Sequence, residues 1–376
     1  MRTCSLVVVL FLSLPAASFS MQRQAITLDT NTPEGQLLQQ FLDASDDAHR
    51  AVLAEQFLAQ YPKHEGALWV YSQMVASYTK LGQFDKALAA AEKVLALDPA
   101  DVETAYAGVK AAEAAKDPDT VRKWAILSSD LARKVAQAPK TGDEDDDAYK
   151  HRVDSAKHLD LYTEYALFNS AVQTPDPAKK VALLKTLEER APESGYLARS
   201  YGLYFQALAQ SGDLPAAVGL AEKLIAKGQA NEEMLATAAD YYVRQNREPQ
   251  KVLDYSSRLL AAVNTRQKPD GVGDDDWQKW KTNLLGWGQW MMGIAYGVQG
   301  KYADSNKVLR EALPLLEGND ERKAGALYNL GIDNSHLRNV TDAGKFFEQC
   351  AALNSPYQTL CADNFKAIRS TYRVVK

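Results

Sequence analysis

From Leu68 to Asp101 runs a block of 34 residues, LWVYSQMVASYTKLGQFDKALAAAEKVLALDPAD, and imperfect copies of it recur along most of the chain. A repeat of this length constrains the fold before anything else does, because one unit cannot bury its apolar face alone and stacking neighbours must supply the core. Such stacks act by presenting an extended surface rather than an enclosed pocket, so the repeat bears on function without naming a ligand.

The block reads as two helices. Tyr71, Met74, Val75 and Tyr78 keep helical spacing on one apolar face. Gly82 supplies the backbone freedom of a tight turn, Phe84 packs over it, and the small Ala87 lets the second helix approach the first. Val94 continues the seam and Pro99 closes the unit. These residues resemble the tetratricopeptide signature, and the resemblance implies an all-α, right-handed superhelical solenoid of helical hairpins.

Sliding the same frame locates the other copies. The clear units lie near 68–101, 198–231, 286–319 and 324–356. The second carries Tyr201, Tyr204, Phe205, Leu208, Gly212, Leu214, Ala217, Ala221 and Leu224. The third carries Met292, Gly293, Tyr296, Gly300, Tyr302, Leu309 and Ala312, and the fourth Leu327, Leu330, Gly331, Val340, Ala343 and Phe347. Degenerate units lie near 32–62, 102–138, 161–192 and 232–264; in the last, Asn246 falls at the turn, 246 − 212 = 34 residues after Gly212. Residues 357–376 read as a capping helix over the last apolar face. With 46% apolar and 24% charged residues and only 14 prolines, helix throughout is expected, and residues 21–376 are expected to form a single solenoid domain.

The first 20 residues, MRTCSLVVVLFLSLPAASFS, combine a basic start at Arg2, an apolar core from Leu6 to Leu14, Pro15, and small residues at Ser18 and Ser20. This is the architecture of a secretory signal peptide, with cleavage after Ser20 or Ser18. The apolar run is far short of the roughly 20 residues a membrane span needs. Cys4 precedes the apolar core instead of marking a cleavage site, so no lipid anchor is expected. The expectation is a soluble exported bacterial protein, periplasmic or secreted. Loss of the signal leaves Cys350 and Cys361, and in an oxidising compartment the pair is a candidate disulfide, the alternative being two separate buried thiols.

Forty-three Lys and Arg against 48 Asp and Glu give a net charge of −5, and losing Arg2 takes it to −6. No basic run is present of the kind nucleic acid or an anionic membrane requires. Two acidic knots, from Gly142 and from Gly273, precede helices and suit the positive helix N-terminus. A calcium loop is the rival for the first, but Ala148 stands where an EF-hand needs Gly and Asp154 where it needs Glu.

After each knot the first helix starts early, from near Ala148 and Trp277. The second of these helices carries Trp277, Trp280, Trp287 and Trp290 within an arc of about 140°, opposite the face of Met292, Gly293 and Tyr296. In tetratricopeptide arrays, the resemblance implies, the concave groove is lined from four positions of each first helix. Here those positions include Trp69, Tyr106, Lys110, Tyr162, Tyr165, Asn169, Arg199, Gln206, Trp287, Trp290, Tyr328 and Asn329. Aromatic rings offer interface anchors and also stack on sugars or cations, while aromatics at helical spacing equally serve as core. The Lys and Asn clamp of chaperone-binding relatives is missing, since Ser72 and Ala76 occupy those places in the first clear unit.

Enzymatic chemistry has little to stand on: five histidines, no Gly-rich phosphate loop and no nucleophile elbow. His151, Asp154 and His158 form the one cluster to weigh, and a solvated helix face with Asp154 paired to His158 accounts for it. The expected function is a non-catalytic scaffold without cofactor or metal that binds a protein or peptide through an aromatic groove. The alternative is a glycan or small-ligand module at Trp287 and Trp290.

Overall fold

A computed structural model describes residues 29–142 and 144–372. The signal-like segment and Asp143 of the first acidic knot lie outside the described residues. The described residues are all-α, and they form two compact units divided between Ser211 and Gly212.

Unit 1 consists of α1 (Pro33–Asp43), α2 (Asp47–Gln60), α3 (Ala67–Lys80), α4 (Phe84–Leu97), α5 (Val102–Ala115), α6 (Pro118–Gln137), α7 (Asp146–Gln173), α8 (Pro177–Arg190) and α9 (Gly195–Gln210). Each helix packs on its sequence neighbour, and the first helices of successive hairpins also touch, α3 on α5, α5 on α7 and α7 on α9. Unit 2 consists of α10 (Leu214–Ala226), α11 (Glu232–Arg244), α12 (Pro249–Thr265), α13 (Asp274–Val298), α14 (Tyr302–Ala312), α15 (Asp320–His336), α16 (Val340–Ala351) and α17 (Gln358–Tyr372), with a 3₁₀ turn at Leu313–Leu315. Here too the first helices touch, α11 on α13 and α13 on α15. A helical hairpin repeated in register, with first helix on first helix, is the tetratricopeptide-like arrangement.

The clear unit at Leu68 shows why these residues fold this way. Val70, Met74, Val75 and Tyr78 of α3 are buried against Ala87, Leu88, Ala91 and Val94 of α4. Gly82 takes φ +70, which lets the Gln83 N–H reach back to the Tyr78 carbonyl at 2.9 Å and ends α3 in one step. In unit 2 the same left-handed corner falls on Gly300, on Asn246 and on Arg338, whose φ of +61 is costly for a side chain with a Cβ. Gly331 permits a close helix crossing instead. A Cβ there would stand 2.5 Å from the Phe347 ring, so the α15–α16 contact depends on its absence.

The two long first helices begin at Asp146 and Asp274, slightly before the points the apolar pattern suggested. Their acidic residues belong to the first turn rather than the loop. Asp145 caps α7 by accepting from the Ala148 N–H, and Asp274, Asp275 and Asp276 crowd the start of α13. At the end of unit 2, Cys350 of α16 and Cys361 of α17 are both buried and joined as a disulfide, with Cα atoms 5.8 Å apart. The capping helix is thereby tied to the last hairpin. No helix among the described residues is long and apolar enough to cross a membrane.

Candidate functional site

In unit 1 the contact of α5, α7 and α9 brings four tyrosines into a row. Tyr106 lies 4.9 Å from Tyr162 between ring centroids, Tyr162 lies 5.7 Å from Tyr165, and Tyr165 lies 5.8 Å from Tyr196. The edge and tilted geometries are those aromatic quadrupoles favour. Phe168 flanks the row at 5.6 Å from Tyr196. Lys110, one turn after Tyr106, holds its Nζ 4.9 Å from the Tyr162 centroid, a cation over a ring face.

Tyr162 anchors the row. Its hydroxyl donates to the Glu113 carboxylate, and burial, with Glu113 beside it, pushes the phenol well above its ordinary range, so it stays a donor. Tyr106 and Tyr165 remain open, with 41% and 37% of their surface exposed. The row therefore has a fixed middle and accessible rings around it. Beside it, a cavity of about 330 Å³ is lined by Glu113, Lys116, Asn169, Gln173, Asp176 and Lys179 among others. Asn169 is tied to Gln173, whose Nε2 donates to its Oδ1 at 3.1 Å.

The structure thus gathers Tyr106, Lys110, Tyr162 and Tyr165, and sets Asn169 at the edge of the group. Arg199 and Gln206 are exposed on α9 outside the tyrosine row. Trp69 packs edge-on against Phe41 at 5.4 Å, partly buried beside its own core. Tyr196 escapes the repeat frame, whereas Glu113 stands at the twelfth position of the unit that begins at Val102, one of the four groove-lining positions. Tyr196 stands two residues before the frame begins at Ala198, and only the true start of α9 at Gly195 puts it on the helix.

In unit 2 the tryptophans divide. Trp277 and Trp280 stack on each other at 4.8 Å with planes 14° apart, and the Arg266 guanidinium lies over Trp280. Trp287 is half-buried; its Nε1 donates to Asp240 of α11 at 3.2 Å, and the Arg322 guanidinium of α15 lies over its ring at 4.0 Å. Trp290 is core, 6% exposed, with an indole N–H that has no acceptor among the described residues. The expected pair of groove tryptophans is therefore one surface ring and one packed ring, because position 290 turns toward α15 at Gly325. Tyr328 is half-buried against Tyr357, 5.5 Å away, and Asn329 spends its amide on the Gly325 carbonyl at 2.8 Å.

On α7, Asp154 and His158 are both exposed, and no ion pair joins them among the described residues, so the paired reading of that face does not hold. Each reaches solvent instead of bending toward its neighbour one turn away.

No protein-family model and no characterised protein matches the sequence. Among solved structures the chain is similar to the APC/C hetero-tetramer Cut9–Hcn1, with 14% identity and a TM-score of 0.35 over 90% of this chain and 56% of that one. It is also similar to the apo form of RapI, with 11% identity and a TM-score of 0.40 over 72% of this chain and 70% of that one. A tetratricopeptide repeat protein from Parabacteroides merdae matches with 11% identity and a TM-score of 0.29 over 89% and 98%. The chain spans 56% of the Cut9–Hcn1 chain it matches.

Proposed function

We propose that this chain is a non-catalytic scaffold of the bacterial envelope or the secreted fraction, and that it takes a protein or peptide partner on the tyrosine-rich face of α5, α7 and α9. The observation that carries the reading is the row Tyr106–Tyr162–Tyr165–Tyr196 with Lys110 beside it. Tyrosine gives large contact area with few rotors to freeze and a hydroxyl to satisfy, which suits a reversible protein interface. Partner binding there needs no rearrangement of the scaffold, since Tyr162 is already held by Glu113.

Export rests on the basic, apolar and small-residue order of the first 20 residues. Intact mass of the exported protein is expected to place its start near Met21 with no lipid; a retained leader or a lipid adduct overturns that part. The glycan reading has less support. Trp290 is buried, Trp287 carries Arg322 on one face, and Trp277 and Trp280 cover each other.

A photo-crosslinking amino acid at position 165, compared with one at Leu97 on α4, tests the reading. The envelope fraction is expected to give one dominant protein adduct from position 165 and none from 97. Equal labelling at both positions, or none at 165, overturns it.

A further inference from the structure

Asp333 is an acid shut inside unit 2. It lies in the last turn of α15 and is 1% exposed, and its Oδ2 has no hydrogen-bond partner among the described residues. The Ser305 hydroxyl of α14, also buried, stands beside the carboxyl and favours its charged form, but less than burial opposes it, and no well-formed hydrogen bond closes between them. The next residue along the chain shows the contrast: Asn334, equally buried, gives its amide to the Leu330 carbonyl at 2.7 Å. A buried carboxylate without donors is costly, and a neutral carboxyl in its place can donate to the Ser305 oxygen.

The packing around Asp333 leaves it no way out. A Cβ added to Gly297, in the last turn of α13, would stand 3.4 Å from the Ser305 Oγ and 3.7 Å from the Asp333 Oδ1, so the carboxyl sits where α13, α14 and α15 meet. On another face of α15, a Cβ at Gly331 would be 2.5 Å from the Phe347 ring of α16. With α15 held on both sides, water reaches the carboxylate only if helices part. The carboxyl answers to burial and to Ser305, and to no lysine, arginine, histidine or acid of α13, α14, α16 or the Leu313–Leu315 turn. His336, one turn further on α15, is exposed and stacked on Tyr302 with ring centroids 3.9 Å apart. The carbonyl ends of α13 and α15 also lie at this point, and a helix C-terminus disfavours a negative charge.

We infer that the junction of α13, α14 and α15 is a proton-controlled latch: a protonated Asp333 lets the three helices stay packed, and its ionisation opens the junction locally and loosens the α13–α15 contact on which Trp290 packs. The latch belongs to unit 2 and is independent of the tyrosine row in unit 1. Its direction follows from the carboxyl, which burial raises to about 6 from 3.8; in the opened junction the ordinary value returns, so the open form gains about tenfold between pH 5 and pH 7.5.

Amide hydrogen exchange of the full chain tests this, read by mass spectrometry at both pH values and expressed as protection factors so that the intrinsic exchange rates cancel. Segments from the end of α13, from α14 and from the second half of α15 are expected to lose about tenfold in protection from the lower pH to the higher, while segments of α5 and α9 keep theirs. Asp333→Asn retains the shape and removes the titration, and is expected to hold protection at the junction constant across the two pH values. Constant protection at the junction of the wild-type chain, a reading that needs no variant, overturns the proposal. An equal loss across both units does so too, because it marks global rather than local opening, and so does a loss that persists in Asp333→Asn.

Discussion

Trp287 and Trp290 are three residues apart on one helix, and the structure predicts that truncating them has very different consequences. Trp290 is 6% exposed, packed against Gly325 of α15, so Trp290→Ala empties a buried aromatic site, a change of about 3 to 5 kcal/mol. Part returns, because the indole N–H is buried with no acceptor among the described residues and its removal relieves about 1 kcal/mol, the low end of the cost of an unmet donor. The net cost is therefore about 2 to 4 kcal/mol. Trp290→Phe keeps most of the apolar bulk while dropping the orphaned donor, and is expected to cost under about 1.5 kcal/mol. Trp287→Ala loses a half-buried ring, one hydrogen bond to Asp240 and the Arg322 contact, together about 1 to 2 kcal/mol. Urea unfolding followed by far-UV circular dichroism measures all three without depending on tryptophan emission, and amide exchange across α13 and α15 locates the change. If Trp287→Ala proves the costlier truncation, or if Trp290→Phe costs as much as Trp290→Ala, the reasoning from burial and the unpaired donor is refuted.

Other outcomes follow from particular contacts. Asp333 is buried in α15 and burial pushes its carboxyl up to about 6, against 3.8 when free, so the folded state favours the protonated form. Its contribution is therefore most favourable below about pH 4 and is lost as pH rises through 6, a swing of about 3 kcal/mol; Asp333→Asn is expected to flatten the urea midpoint between pH 4.5 and 7.5, and an unchanged slope refutes this. The native exported protein is expected to show no titratable thiol at Cys350 or Cys361, and replacing both with Ala is expected to lower stability by about 2 to 3 kcal/mol, with faster amide exchange confined to α16 and α17. Gly331→Ala forces a Cβ to 2.5 Å from the Phe347 ring and is expected to cost about 1 to 3 kcal/mol. Gly82→Ala, with open space around it, bears only the left-handed backbone penalty of about 1 kcal/mol, and the reverse order in thermal melts refutes the packing argument.

The fold was legible because the repeat marks its own corners. Gly82, Gly300 and Asn246 sit where the chain needs a left-handed residue, and Ala87 and Ala343 sit where helices cross closely. Fixed-length framing failed at helix starts: α9 begins at Gly195, before its frame, and so Tyr196 was invisible as a member of the aromatic row. The sense of Trp290 was hidden for another reason. Periodicity places a side chain on a face, but only the neighbouring helix decides whether that face is covered, and α15 with Gly325 covers it. Nothing local to Arg322 reveals that its guanidinium lies over a tryptophan 35 positions earlier (322 − 287 = 35).

The most direct test of the account is the binding isotherm of the crosslinked partner with the wild-type chain and with a Tyr106→Ala, Tyr165→Ala double variant, measured beside their melting curves. Both rings are substantially exposed, at 41% and 37%, so the account predicts a loss of at least about 2 kcal/mol in affinity, roughly thirtyfold, with the melting temperature little changed. Unaltered affinity in a well-folded double variant contradicts the claim that this face is where the protein works.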